Sequence, residues 1–125
     1  MSIQRVRLCL FFVLAIGLVG CPGGGSEDRS FTIDIRNRTI QGTSDTLRVK
    51  QQDRVTLWWT TDETVTIHLH GYDIQKVVKP GTPTVFTFQA MATGRYPITA
   101  HSFGTARPEK VQNEITLLYL EVLPR

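Results

Sequence analysis

Alternation with a period of two residues runs through nearly all of the chain after residue 30, and no long stretch repeats at 3.6. Phe31, Ile33 and Ile35 alternate with Thr32, Asp34 and Arg36. Val55, Leu57 and Trp59 alternate with Thr56, Trp58 and Thr60; Val65, Ile67 and Leu69 alternate with Thr66, His68 and His70. Leu47 and Val49, Phe86 and Phe88, then Tyr96, Ile98 and Ala100, and finally Leu118, Leu120 and Val122 follow the same rule. Successive side chains of a strand point to opposite faces, so each run makes a strand with one apolar face. Turn signals separate the runs: Gln52-Asp53, Pro80-Gly81-Thr82-Pro83 and Thr93-Gly94. About seven short strands at this spacing predict an all-β sandwich. Pro97, inside a strand pattern, marks an edge or a bulge. A polar loop is expected from Ser102 to Glu114.

The N-terminus is of another kind. Arg5 and Arg7 precede a run of 12 uncharged residues, Leu8 to Val19. As a helix that run spans about 18 Å, short of a hydrocarbon core of about 30 Å. It fits the apolar region of a secretory signal instead. Leu18-Val19-Gly20-Cys21 resembles the bacterial lipobox, in which the peptide is cut before the cysteine and the thiol carries lipid. The resemblance implies a signal at residues 1–20 and lipidation at Cys21. It also implies a cell-envelope protein, anchored in a membrane and facing the periplasm. Pro22 stands where an Asp would resemble an inner-membrane retention signal, which favours the outer membrane. Residues 21–30 are Gly- and Ser-rich and read as a flexible tether, leaving 31–125 as the folded domain.

Charge and cysteine count narrow the function classes. The chain has 14 Lys plus Arg and 11 Asp plus Glu. Removal of Arg5 and Arg7 with the signal leaves a near-balanced mature protein with no basic cluster, so no nucleic-acid partner is expected. The two cysteines are Cys9, in the signal, and Cys21. The domain therefore offers no thiolate to a metal and no disulfide.

The order of several short stretches resembles the cupredoxin-like family. They are Asp62-Glu63 leading to His68-Leu69-His70-Gly71-Tyr72-Asp73, then Val78-Lys79-Pro80-Gly81, Val85-Phe86-Thr87-Phe88, Gly94-Arg95-Tyr96-Pro97-Ile98 and Leu120-Glu121-Val122. The resemblance covers Phe31 to Pro124 and implies a Greek-key β-sandwich with any metal site at one end, between loops. Electron-transfer members look like Gly-x-Tyr-x-Tyr-x-Cys-x-x-His, with a Met further on. Here Ala100 stands at the Cys position, and Met91 lies upstream. A blue-copper centre needs that thiolate, so the domain is not expected to carry out blue-copper electron transfer.

The three histidines, His68, His70 and His101, fall in two of these strands. Positions i and i+2 of a strand share a face with Cα atoms about 6.5–7 Å apart, so His68 and His70 can aim at one point. The resemblance brings the His101 strand alongside, completing a candidate three-His site for copper, or secondarily zinc with a water ligand. Asp73, Glu63 and water are candidates for a fourth ligand. The alternative is that these histidines lie on a solvated sheet face, in a metal-free interaction module of the envelope. In that reading Trp58 and the Ser102 to Glu114 loop are the candidate surface for an envelope protein partner, unless a loop covers Trp58. No Ser/His/Asp order, paired carboxylates or phosphate loop appears, and no general acid or base can be assigned. The chain is therefore not expected to be an enzyme.

Overall fold

The structure is a computed structural model that describes residues 24–104 and 114–125. The signal, Cys21 and most of the polar loop after Ser102 lie outside the described residues.

Nine strands form: β1 (Asp28–Arg36), β2 (Thr39–Gln41), β3 (Thr46–Lys50), β4 (Arg54–Thr61), β5 (Val65–Leu69), β6 (Ile74–Val78), β7 (Thr84–Gln89), β8 (Gly94–His101) and β9 (Ile115–Leu123). They make a four-stranded sheet, β2-β1-β4-β7, and a five-stranded sheet, β3-β9-β8-β5-β6. The chain switches sheets after β2, β3, β4, β6 and β7, the pattern of the Greek-key sandwich expected. β1 and β4 run parallel, as do β3 and β9; every other pair is antiparallel.

The strand count exceeds the expected seven by β2 and β6. β2 is three residues long and hairpins onto β1 through Asn37 and Arg38, both at positive φ (49° and 61°). Two successive positive φ values give the type I′ twist that suits a two-residue hairpin. β6 is an edge strand whose Gln75 and Lys76 are both exposed, so it shows no alternation. β1 begins at Asp28 because its parallel register with β4 starts at Asp28 opposite Arg54.

Between the sheets the inward positions form one core. Trp59 and Phe86 stack at 5.7 Å, tilted by 49°, against Ile33, Ile67, Ile98 and Leu120, all fully buried. Pro97 lies in a central strand rather than at an edge. A register shift between β8 and β9 follows it, at Ile98/Thr99. On the other side, the His70 N–H donates to the Pro97 carbonyl at 3.1 Å. Pro97 has no N–H to return, so the β5–β8 ladder ends there.

One end of the sandwich is tied by Asp53, whose carboxylate is shielded from solvent. It accepts the backbone N–H of Lys50 at 2.9 Å and of Glu27 at 3.1 Å. Arg29 and Arg125 pair with it, and Arg125 also donates to the carbonyls of Gly24, Gly25 and Gln51.

Candidate metal centre

β5 and the turn after it carry the first two side chains. His68 is the fourth residue of β5 and His70 opens the His70–Asp73 turn, so both project from the face opposite Val65, Ile67 and Leu69. That turn depends on Gly71 at φ 82° and Asp73 at φ 53°. A Cβ on Gly71 would lie 2.4 Å from the Tyr96 ring, so glycine is required there on two counts. The two imidazoles lie over one another, centroids 4.0 Å apart and tilted by 37°.

β8 supplies the third side chain. Thr99 stands opposite His68 in the antiparallel register and therefore shares its face. Glu114 comes from the residue before β9. Its Oε1 accepts from the Thr99 hydroxyl at 2.5 Å and lies 2.8 Å from His70 Nε2. The same His70 nitrogen is 3.0 Å from Thr99 Oγ1. A hydroxyl has one proton, and here it goes to Glu114, so without a cation His70 Nε2 carries the proton shared with both oxygens, a proton that leaves if that nitrogen takes a metal. One ligand atom from each of His68, His70 and Glu114 lies within 4.8 Å of the other two.

The protonation states suit a cation. Burial, and then the neighbouring His70, push the His68 pKa below its ordinary value, which keeps its imidazole neutral near pH 7. The Thr99 hydroxyl, and then His70, hold the Glu114 carboxyl below the usual carboxylate range. The set is thus a neutral imidazole, a second imidazole and an anion. As a stabilising feature it would be minor. The His70 and Glu114 side chains are 36% and 35% exposed, and exposed pairs contribute about 0–1 kcal/mol.

The structure brings His68 and His70 together and adds Glu114. His101 is the last residue of β8, opposite Thr66, so it lies on the same face as His68 and Thr99. It is buried, its Nδ1 lies 3.4 Å from Ser102 Oγ, and it is not part of the three-residue cluster. The Thr66 hydroxyl opposite it is buried without a hydrogen-bond partner among the described residues. Glu63 is held by Arg38 at 2.7 Å and lies outside the cluster. Asp73 also lies outside it, though its charge is felt at His68. Ala100, at the position of the blue-copper cysteine, faces the core opposite Ile67 and is fully buried. The cluster occupies the outer face of the five-stranded sheet, not a loop end of the sandwich. Glu114 carried no sequence signal: it is 44 residues from His70 and belongs to no motif.

Trp58 is 43% exposed on the outer face of the other sheet, uncovered by any loop among the described residues. Tyr72 packs on Phe88 and Tyr96 and leaves its hydroxyl buried without a well-formed hydrogen bond among the described residues.

No family model matches the chain, and no curated protein sequence matches it. Solved structures do. Blue copper oxidase from Nitrosomonas europaea is similar with a TM-score of 0.60 at 21% identity, over 79% of this chain and 40% of that one. A multicopper oxidase from Pseudomonas thermotolerans is similar with a TM-score of 0.58 at 18% identity, over 81% and 31%. A chain of a haem–copper terminal oxidase dimer is similar with a TM-score of 0.53 at 18% identity, over 72% and 65%. This chain thus spans less than two thirds of each of them. At these identities the likeness shows the fold, a cupredoxin-like sandwich. It also corrects the expectation that the chain is not an enzyme, because these neighbours are all copper oxidases. That expectation came from missing acid–base and nucleophile motifs, which oxidation at a metal does not require.

Proposed function

We propose that this chain is a copper-binding cupredoxin-like domain of a copper oxidase system, held at the cell envelope by a lipid on Cys21 and facing the periplasm. The anchor and its place on the outer membrane rest on the N-terminal pattern, from Arg5 through the lipobox to Pro22. The metal reading is carried by one observation, the convergence of His68, His70 and Glu114 within 4.8 Å. Two imidazoles and a carboxylate suit Cu(II), and secondarily zinc with water completing four ligands. Copper, when bound, supplies one-electron chemistry. The chain's own residues do the rest: His68 presents a neutral nitrogen, Glu114 offsets positive charge, and Thr99 fixes the carboxylate. His101, one pair further along the same face, is a reserve ligand in this reading. With Ala100 at the cysteine position, the centre is not of the blue type.

Titration of the mature domain with Cu(II) and Zn(II), in competition with a chelator of known affinity, tests the proposal. Tight one-to-one copper binding is expected, without the intense visible absorption of a copper–thiolate bond. It should be lost in His68→Ala/His70→Ala and strongly weakened in Glu114→Gln. Equal, weak binding by all three proteins would overturn it.

A further inference from the structure

Two exposed apolar side chains stand together at the Asp53 end of the sandwich. Met91 is 64% exposed and Leu123 40% exposed. Gln51 fixes their proximity: its N–H donates to the Leu123 carbonyl at 2.8 Å and its side-chain amide donates to the Met91 carbonyl at 2.8 Å. Ala92 and Pro124, the next residues of each segment, are exposed too. The N-terminal segment leaves the domain at this same end. Arg125 holds the Gly24 carbonyl at 2.7 Å, and Asp53 holds the Glu27 N–H. The expected tether of ten residues is therefore pinned from Gly24 onward. Cys21 precedes Gly24 by three residues, a reach of at most about 11 Å.

We infer that this rim, built from Met91, Ala92, Leu123 and Pro124, rests on the lipid bilayer in which the Cys21 lipid is embedded. The inference builds on the anchoring reading above. A chain tied by its lipid so close to the rim cannot hold it far from the surface. Apolar side chains at such a contact sink into the headgroup region, as the apolar face of an interfacial helix does. Charge contributes little: Lys50 and Arg54 are balanced by Glu27 and Asp28, and Arg54 pairs with Asp28 at 3.7 Å. Arg95, exposed beside Gly94, adds a cation, so the contact is mainly apolar with a small contribution from anionic lipid. β8 runs from Gly94 at the rim to His101. At about 3.3 Å per residue, Thr99 stands roughly 16 Å from the rim, which sets the metal cluster above the membrane surface on the flank of the domain.

The test uses the mature lipidated protein in vesicles of phosphatidylethanolamine and phosphatidylglycerol. Nitroxide labels go on Ala92→Cys at the rim and on Thr82→Cys in the turn at the opposite end. Flotation reports anchoring, and collision with oxygen against a water-soluble paramagnet reports depth. The expected result is flotation, with the label at 92 withdrawn from water and the label at 82 fully wetted. Met91→Glu/Leu123→Glu should still float but return the label at 92 to water. Flotation with both labels equally wetted would overturn the rim contact and leave the anchor standing. Failure of the unsubstituted protein to float would overturn the anchoring reading and the inference with it.

Discussion

Gly71→Ala is the sharpest probe of how the fold holds the candidate centre. Gly71 follows His70 directly, at φ 82°, and its missing side chain is the space occupied by the Tyr96 ring. An added methyl would lie 2.4 Å from Cδ1 and 2.7 Å from Cε1 of that ring. The ring cannot swing away freely. Its hydroxyl donates to the Ala92 carbonyl at 3.0 Å, and its edge meets Tyr72 at 5.1 Å. The left-handed backbone costs an alanine about 1–2 kcal/mol. Overpacking adds about 1–3 kcal/mol, for a total of about 2–5 kcal/mol. In a domain of this size each kcal/mol lowers the Tm by about 4–8 °C, so a fall of at least about 8 °C is expected by circular dichroism on the unlipidated Cys21→Ser form. The steric share can be isolated with Tyr96→Val, which removes the clashing ring atoms. Gly71→Ala should cost less in the Tyr96→Val background by about 1–3 kcal/mol. The same displacement moves His70, so copper binding weakens in Gly71→Ala. Additivity of the two substitutions within about 0.5 kcal/mol would refute the claim that glycine is there to make room for the ring.

Two further outcomes follow from the buried carboxylate and from the hydroxyl at the cluster. Burial pushes the Asp53 carboxyl upward, but the Lys50 and Glu27 N–H groups, with Arg125 and Arg29, outweigh it and the pKa falls below the ordinary value. Its stabilisation is therefore complete above the unfolded value of about 3.9 and is lost as pH falls through the folded-state value. Asp53→Asn should cost about 2–4 kcal/mol at pH 7 and flatten the fall in Tm between pH 5 and pH 2, in melts on both proteins; an unchanged acid limb would assign it to other carboxyls. Thr99→Val removes the donor to Glu114 and should weaken copper binding by about 10–100-fold, the usual cost of losing an outer-shell partner. Thr99→Ser should restore it; the same titration decides, and loss in both would point to packing rather than the hydroxyl.

The fold was legible wherever one face of a strand is buried. Alternation marked β1, β3, β4, β5, β7, β8 and β9 because burial by a facing sheet imposes period two. It missed β6, an edge strand with Gln75 and Lys76 both exposed, and β2, whose three residues are too few to show a period. The start of β1 was also hidden. Asp28 to Ser30 have strand-poor side chains and join the sheet through backbone bonds to β4, which any sequence can make. Pro97 announced an irregularity, and the register shift beside it is that irregularity; its central position is tolerated because β5 pairing stops at His70.

The candidate site was legible only to the extent that it depends on parity within one strand. His68 and His70 share a face by the pleat alone, whatever their neighbours do. The third member depends on register between strands, which no local pattern encodes. Thr99 meets His68 because β8 pairs with β5 at that offset, and Glu114 arrives beside them after the shift in β9 pairing at Ile98/Thr99. The same register puts Ala100 on the opposite face from the histidines. A cysteine at that position would face the core, away from His68 and His70. Restoring a cysteine at position 100 would therefore not complete a blue-copper set with His68 and His70. The sheet instead presents His68, His70 and Glu114 on its outer face, on the other side of the sheet from position 100, with the His70 and Glu114 side chains 36% and 35% exposed. On the proposed reading, a metal held there would meet solvent through His70 and Glu114, which a fully closed structural site would not.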